Sequence, residues 1–406
     1  EFAPPPGTLN CADFPSSVST APIQAMEISL YPAYNVISKM IYPDPIMRKD
    51  IMCIGGTSQW PATLFRGIDQ WGEKYGYLLI DPIGGAIGAF TMADGINTGG
   101  QARTPICQLP NVEHTEQNFP ILFLYRKELS DSGGAGKYRG GLSAESCFIP
   151  HNTEFVTQDT LSSGNAIPTS PGLMGGYPST TNAYTFVKDS NIFDCMASSQ
   201  MPKDTDELLG NSVTLQLREQ NFTQDPKDVY AVRWSGGGGF GDPFDRAPED
   251  IEDDLESLAI TENSAETLYG AILGKDGHVD VERTREHRAK IRKSRVTEIK
   301  KSNRKGQLLS ENSHSINIMR DDAGTYWACA KCDFELGDIS ENYKEHCVTE
   351  NQSIAVSNPL IGDEARFIDN AVEFRQFYCC QCGCLLDNEI AIAEDPLLHD
   401  SRHQLS

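Results

Sequence analysis

Two pairs of cysteines near the end of the chain have the spacing of a metal site. Cys329 and Cys332 enclose two residues, Cys379 and Cys382 do the same, and 46 residues separate the pairs. Four thiolates complete a tetrahedral coordination sphere and leave no open position for water, so the pattern predicts a structural zinc ion rather than a catalytic one. Gly383, directly after the second pair, permits the tight turn that points backbone amides at sulfur.

Three further cysteines leave the ligand set open. Cys380 and Cys384 lie within or beside the second pair, and Cys347 lies between the two pairs. We favour Cys379 and Cys382, because their spacing and the following glycine repeat the usual zinc knuckle. A disulfide or a redox pair is disfavoured, since no thioredoxin-like βαβ pattern surrounds the cysteines. The connection between the pairs is long for a zinc ribbon and must carry secondary structure of its own.

A second stretch that could do chemistry runs from Trp234 to Pro243, where five of the six residues at 236–241 are glycine. Glycine loses the most conformational entropy on folding, so such a run is favoured only where positive φ angles or a close approach require it. One interpretation is a loop whose amides cradle a carboxylate or phosphate. The other is a tight turn between packed elements. No Lys-Ser/Thr follows, so the run is not a P-loop.

The glycine run also carries a resemblance. The sequence GGGGFGDP at 236–243 resembles a run near the end of hydantoinase B/oxoprolinase family members, and further segments match that family in the same order. These segments are Gly7–Asn10 with Phe14–Val18, Asp131–Leu142, Ala265–Gly270, and Asp276–Asp280 with Thr284. The resemblance covers about residues 3 to 292 and implies that a first half of such a subunit is missing here.

The cysteine-rich end carries a second resemblance. Residues 306 to 400 are similar to the small zinc-binding subunit of acetone and acetophenone carboxylases, with Gly383–Leu386 as the turn after the second cysteine pair. Hydantoinases and oxoprolinases have no reason to carry this extra domain. The two resemblances together therefore imply the ketone-carboxylase branch of the family.

That branch implies a subunit of a complex that adds bicarbonate-derived carboxylate next to a ketone carbonyl at the expense of ATP. The resemblance places ATP and a catalytic divalent metal on partner chains: a hydantoinase A-like subunit with an actin-like ATPase fold, and a chain carrying the missing first half. The present chain is then not expected to be active alone. Two alternatives remain, an ATP-dependent cyclic-amide hydrolase of the hydantoinase or 5-oxoprolinase type and a noncatalytic zinc-stabilised scaffold.

Within this framework the resemblance also implies residues for an anionic intermediate. The glycine loop would contribute a contact surface whose turn Asp242 fixes, and its members are Gly236, Gly237, Gly238, Gly239, Gly241 and Asp242. Arg139 is the best basic candidate, although a structural ion pair with Asp131 is at least as well supported. Arg103 is a further candidate.

The elements that must position these residues fall into three regions of different composition. Residues 1–248 are rich in Gly, Pro, Ser and Thr with short apolar runs, which favours strands separated by long loops. Residues 249–305 are helical, with an acidic first turn after Pro248, a helix that Ser264 can cap, and a closing basic linker. Residues 306–406 form the zinc-ribbon-like domain. The predicted fold class is α+β.

The net charge of the chain disfavours some classes of binding partner. The formal net charge is -23, which argues against binding nucleic acid or an anionic membrane, and no apolar run is long enough to span a bilayer. The basic linker is the exception, since 11 of the 23 residues at 283–305 are Lys or Arg. It is interpreted first as a solvated helix and second as a docking arm for an acidic partner subunit. We expect a cytoplasmic protein.

Overall fold

The computed structural model describes residues 4–8, 11–17, 20–50, 62–79, 85–100, 110–296 and 304–402. The α-helices in these residues are α1 (Thr20–Ile41), α2 (Met47–Asp50), α3 (Val112–Asn118), α4 (Ile192–Ala197), α5 (Pro248–Glu256), α6 (Glu262–Thr267) and α7 (Val281–Arg295). The strands before α5 are β1 (Ala62–Ile68), β2 (Lys74–Leu79), β3 (Ile121–Glu128), β4 (Ala144–Pro150), β5 (Val156–Leu161), β6 (Ala183–Lys188), β7 (Asn211–Thr214), β8 (Phe222–Gln224) and β9 (Val229–Arg233). Those after α7 are β10 (Gln307–Glu311), β11 (Ile316–Asp321), β12 (Gly324–Cys329), β13 (Glu335–Asp338), β14 (Val348–Ser353), β15 (Val372–Tyr378) and β16 (Leu385–Ile392).

Two antiparallel sheets form the first region. One has the strand order β3-β4-β9-β6-β7 and the other has the order β2-β1-β5-β8. Their facing sides share one aromatic core, in which the ring of Phe65 on β1 meets Phe148 on β4 edge to face at 5.2 Å. Trp234, at the end of β9, is fully buried in the same core. The core therefore ends where the glycine run begins.

The opposite face of the five-stranded sheet is also covered. Cys147, Val229 and Ala231 point away from the aromatic core and pack with Ile192 of α4 in a second apolar cluster. Every side chain of β4 is buried, as expected for a strand with both faces covered. The sequence expectation of strands within long loops is confirmed, and so is the α+β class.

The last region contains two smaller antiparallel sheets, β10-β11-β12-β13 and β14-β15-β16. Strands β13, β14 and β15 lie between the two cysteine pairs, so the connection does carry secondary structure of its own. One hydrophobic cluster joins both sheets and contains the cysteine pairs together with Trp327 and Tyr343. The two cysteine pairs are far apart in the sequence, and in the structure they meet in the cluster that joins the two sheets.

An extensive seam joins the last region to the first. The Asn358 amide donates to the Asp131 carbonyl at 2.8 Å, and the Asn388 amide donates to the Gly176 carbonyl at 2.9 Å. Tyr177 accepts a hydrogen bond from Gln376 at 2.6 Å. Asn358 and Gln376 are buried, so the last region packs on the first as part of one interior.

Helices α5 to α7 lie after the glycine run. Helix α5 begins at Pro248 with Glu249 and Asp250 in its first turn, as predicted. The prediction that Ser264 caps the next helix is wrong. Thr261 is the N-cap of α6, and its hydroxyl accepts the Ser264 amide at 3.2 Å. Thr261 takes this position because its own amide is held by Asp131, which places the helix start three residues earlier.

Candidate metal centre and the glycine loop

The four predicted cysteines converge. Their sulfur atoms all lie within 4.8 Å of one another. The Cys329 and Cys382 sulfurs are 3.7 Å apart, and the Cys332 and Cys379 sulfurs are 3.6 Å apart. Zinc–sulfur bonds of about 2.3 Å in a tetrahedron put neighbouring sulfurs about 3.8 Å apart, so the arrangement fits a four-coordinate zinc ion. Such an ion would supply folding energy and cross-link the two sheets.

Strand ends position the thiols. Cys329 is the last residue of β12, and Cys379 directly follows β15. After Cys379 the chain turns back on itself, because Gly383 adopts φ +67° and donates its amide to the Cys379 carbonyl at 2.9 Å. The Gln381 amide points at the Cys379 sulfur at 3.4 Å. The predicted glycine-dependent turn is therefore present, and it directs an amide at sulfur.

Hydrogen bonds among the thiols shift the pKa values of the two cysteine pairs in opposite directions. Hydrogen bonds from Cys329 and Cys332 lower the pKa of Cys379 to about 4. The same two neighbours lower the pKa of Cys382 far below its ordinary value. The pKa values of Cys329 and Cys332 are raised instead, so the second pair more readily supplies thiolates, the form that binds metal.

A fifth thiol lies close to the cluster. The Cys384 sulfur is 3.5 Å from that of Cys329 and 3.3 Å from that of Cys382. Cys347 and Cys380 are directed elsewhere, since their sulfurs donate to the carbonyls of Tyr343 and His346 at 3.3 and 3.0 Å. The ligand set Cys329, Cys332, Cys379 and Cys382 stays a prediction, with Cys384 as its nearest competitor.

The glycine loop is buried, and its packing explains its composition. A Cβ atom on Gly236 would lie 2.0 Å from the Ser132 carbonyl oxygen, and one on Gly237 would lie 2.3 Å from that of Ile87. One on Gly239 would lie 2.2 Å from the carbonyl oxygen of Ala135. No side chain fits where two backbones approach so closely. The loop therefore needs glycine to pack, whether or not it also meets a ligand.

The amides of the loop are largely engaged. Gly237, Gly239 and Gly241 donate to the carbonyls of Gly141, Tyr177 and Leu173 at 2.9 to 3.0 Å. The Gly238 carbonyl accepts from Ala89 at 2.9 Å. Contact with an anion through Gly237, Gly239 or Gly241 would require these bonds to break. The anion-contacting role of Gly236–Gly241 stays a prediction.

Asp242 connects three parts of the chain. One carboxylate oxygen accepts the Phe244 amide at 2.9 Å and fixes the turn, as predicted. The other oxygen accepts Arg292 of α7 at 2.8 Å and the Leu385 amide of β16 at 3.3 Å. Next to it, a Cβ on Gly383 would lie 1.9 Å from the Arg292 carbonyl oxygen. The glycine loop, the basic helix and the cysteine turn therefore meet at one buried carboxylate.

Asp242→Asn is expected to lower the free energy of unfolding by about 2 to 3 kcal/mol, because an amide nitrogen facing Arg292 and Leu385 would set donors against donors. Urea unfolding midpoints measure the change. Asp253→Asn is the matched control on the exposed face of α5 and should change stability by less than about 0.5 kcal/mol. Equal midpoints for the two variants would show that the Asp242 contacts do not stabilise the folded chain.

Arg139 is buried in an ion-pair network. Its Nε atom is 3.2 Å from an Asp254 oxygen, and Arg246 Nη2 lies 2.7 Å from the other Asp254 oxygen. Arg246 also pairs with Asp94 through two 2.8 Å contacts. Burial raises the pKa of Asp254, and the two arginines oppose this effect.

The expected alternative pair between Arg139 and Asp131 is wrong. Asp131 accepts both the amide and the hydroxyl of Thr261, at 2.9 and 2.8 Å. These contacts turn its carboxylate toward the start of α6. The role of Arg139 toward an anionic intermediate stays a prediction, and Arg103 lies outside the described residues. Sequence reasoning missed Asp94, Asp254 and Arg246, which carry no motif signal.

The basic linker is only partly solvated. On α7, Arg288 is 6% exposed and donates to the carbonyls of Tyr269, Phe244 and Arg246. Arg292 bridges Asp242 and Asp245. One face of the helix is therefore built into the molecule, whereas Arg283, Arg285, Lys290 and Lys293 are exposed.

Comparison with known proteins identifies the family to which this chain belongs. The chain belongs to the hydantoinase B/oxoprolinase family, whose sequence model matches residues 1–243. Residues 307–406 match the acetone carboxylase gamma subunit. Both resemblances predicted from the sequence are thereby confirmed, and the two matches lie side by side in one chain.

Two curated relatives are carboxylase subunits. The acetone carboxylase alpha subunit of Xanthobacter autotrophicus is 30% identical over 247 residues, which are 57% of this chain and 32% of the relative. The acetophenone carboxylase delta subunit of Aromatoleum aromaticum is 26% identical over 246 residues, 58% of this chain and 36% of the relative. The chain thus spans about a third of the length of these homologues.

Two solved structures are similar to the fold of this chain. A nucleotide-free acetone carboxylase, described for ATP-dependent acetone carboxylation, superposes with a TM-score of 0.66 at 25% identity over 74% of this chain and 41% of its own. An ATP-dependent caprolactamase from Pseudomonas jessenii shares the fold, with a TM-score of 0.53 at 18% identity over 71% of this chain and 46% of its own. None of the described helices of the present chain is long and apolar enough to cross a membrane.

Proposed function

We propose that this chain is a subunit of an ATP-dependent ketone carboxylase complex, which adds bicarbonate-derived carboxylate next to a ketone carbonyl. The observation that carries the proposal is the union of a hydantoinase B-type body with an acetone carboxylase gamma-type region in one chain. The contact at Asp242 supports it, since this buried carboxylate of the first part accepts the Leu385 amide of the second.

The work is divided between chains in this proposal. ATP and the catalytic divalent metal belong to partners, namely a hydantoinase A-like subunit with an actin-like fold and a chain carrying the first half of the hydantoinase B-like subunit. This chain contributes a wall of the reaction chamber and a zinc ion held by Cys329, Cys332, Cys379 and Cys382. It is inactive alone, because ATP and the catalytic metal are bound by its partners. The complex works in the cytoplasm.

The test starts from the native complex, purified under mild conditions, with every co-eluting chain identified by mass spectrometry. We expect an ATPase-like subunit and a first-half subunit, and we expect fixation of radiolabelled bicarbonate into acid-stable product that requires both ATP and a ketone. Acetone and acetophenone serve as the first substrates. A chain that elutes alone from cells grown on either ketone would contradict the proposal.

A second candidate is an ATP-dependent cyclic-amide hydrolase. It is favoured by one observation, the likeness to the caprolactamase fold. This candidate leaves the gamma-type region unexplained. Bicarbonate separates the two candidates: ATP hydrolysis that depends on bicarbonate supports the carboxylase, whereas ATP hydrolysis that depends on a lactam and ignores bicarbonate supports the hydrolase.

A further inference from the structure

A cleft of about 620 Å³ opens between helix α7 and the second cysteine turn. Four cationic side chains of α7 line it: Arg285, Arg288, Arg292 and Lys293. The opposite wall is formed by Gln381 and Cys382, and Phe244 lines the cleft as well. None of the described residues that line the cleft is Asp or Glu, and the one anionic group among them is the Cys382 thiolate. On a chain with a net charge of -23, the four cations concentrate positive charge at this cleft.

Arg288 is the buried cation of the cleft. Three of its hydrogen bonds go to backbone carbonyls, which leaves its positive charge without a carboxylate in direct contact. Its Nη2 atom is buried and has no hydrogen-bond partner among the described residues. Burial and the neighbouring charge of Arg292 lower the pKa of Arg288 to about 10, so the group stays charged at neutral pH.

The other cations surround this buried donor. Arg292 is held by Asp242 and Asp245, which fix its guanidinium, and its Nε atom is a second buried donor without a partner among the described residues. Arg285 and Lys293 are exposed at the rim, where Arg285 also pairs with Glu282 at 2.9 Å. Two fixed guanidinium groups inside and two mobile charges outside are suited to an oxyanion entering from solvent.

We propose that this cleft binds a phosphate group, either as inorganic phosphate or on a small phosphorylated metabolite. Phosphate fits the donors best, because it presents several acceptor oxygens to planar guanidinium groups. The volume exceeds that of a bare phosphate and leaves room for an attached apolar or aromatic moiety next to Phe244. The proposal goes beyond the proposed function and depends on neither ATP hydrolysis nor a ketone.

The test is isothermal titration of the full-length, zinc-loaded chain with inorganic phosphate and, separately, with AMP, at constant ionic strength. We expect saturable 1:1 binding with a dissociation constant on the order of a millimolar or tighter. Tighter binding of AMP than of phosphate would identify the attached moiety as part of the ligand, and equal binding would identify phosphate alone. Arg288→Gln is unsuitable, because it also removes three bonds to the backbone.

The decisive variant is therefore Arg285→Gln/Lys293→Gln at the rim, and its matched control is Arg283→Gln/Lys290→Gln, two exposed cations of the same helix outside the cleft. The rim variant should bind about tenfold more weakly, while the control should bind as the wild type does. Equal weakening in both variants would overturn the proposal in favour of nonspecific charge. A second result would also overturn the proposal: no binding of phosphate, combined with loss of subunit association in the rim variant. That result would assign the cleft to a protein contact.

Discussion

Loss of the proposed zinc ion is expected to lower strongly the midpoint of thermal unfolding of the region around β10–β16. A structural zinc contributes on the order of 10 kcal/mol to folding, and here the four proposed ligands join two sheets that share one hydrophobic cluster. Purified protein should hold one zinc ion per chain by elemental analysis. A chelator, or the substitution Cys332→Ser, should remove the metal and lower the midpoint of thermal unfolding followed by near-ultraviolet circular dichroism.

Cys384→Ser is the matched control for that experiment, because it removes a buried thiol from the same cluster. We expect it to retain one zinc ion per chain, whereas Cys382→Ser should lose it. The reverse result would replace Cys382 by Cys384 in the ligand set and leave the metal in place. A chain that contains no zinc and unfolds identically with and without chelator would contradict the metal centre itself.

Gly239→Ala is expected to destabilise the first region by about 3 kcal/mol or more, or to prevent folding. The added Cβ would lie 2.2 Å from one backbone oxygen and 2.7 Å from another, and neither can rotate away as a side chain could. Urea unfolding of the full chain, compared with wild type, measures the loss.

The control for Gly239 is Gly362→Ala, where nothing lies within 4 Å of the added atom. That variant should be nearly neutral. The pair also separates the two interpretations of the glycine run. If Gly239→Ala were as stable as wild type while the assembled complex lost activity, contact with a ligand rather than packing would explain the glycines.

Local patterns were the predictable part of this molecule. The x2 spacing of the cysteines and Gly383 fix a turn within five residues, and Pro248 followed by acidic residues marks a helix start. Such signals are predictive because residues that are neighbours in the sequence determine the geometry of the turn or helix start. The competition between Cys382 and Cys384 is not resolved in this way, since both sulfurs approach Cys329.

Long-range partners were the unpredictable part. Arg139 pairs with Asp254, which is 115 residues away, and the sequence offers no reason to prefer it over the other acidic residues of α5. For α7 a signal did exist. Arg288, Arg292 and Arg295 recur at spacings of four and three, which places them on one helix face. Because all three residues are cationic, the sequence predicted that this helix face is exposed to solvent. In the structure Arg288 is buried, and Arg295 stacks 4.2 Å from the ring centre of Tyr378.

The seam between the two regions also sets an order of events during synthesis. The Gly176 carbonyl receives its hydrogen bond from Asn388, which lies 212 residues further along the chain. A ribosome adding about 5 to 20 residues per second needs roughly 10 to 40 s to make that stretch. Throughout that interval the Gly176 carbonyl lacks its Asn388 partner. The nascent chain therefore cannot complete this contact until its cysteine-rich end emerges.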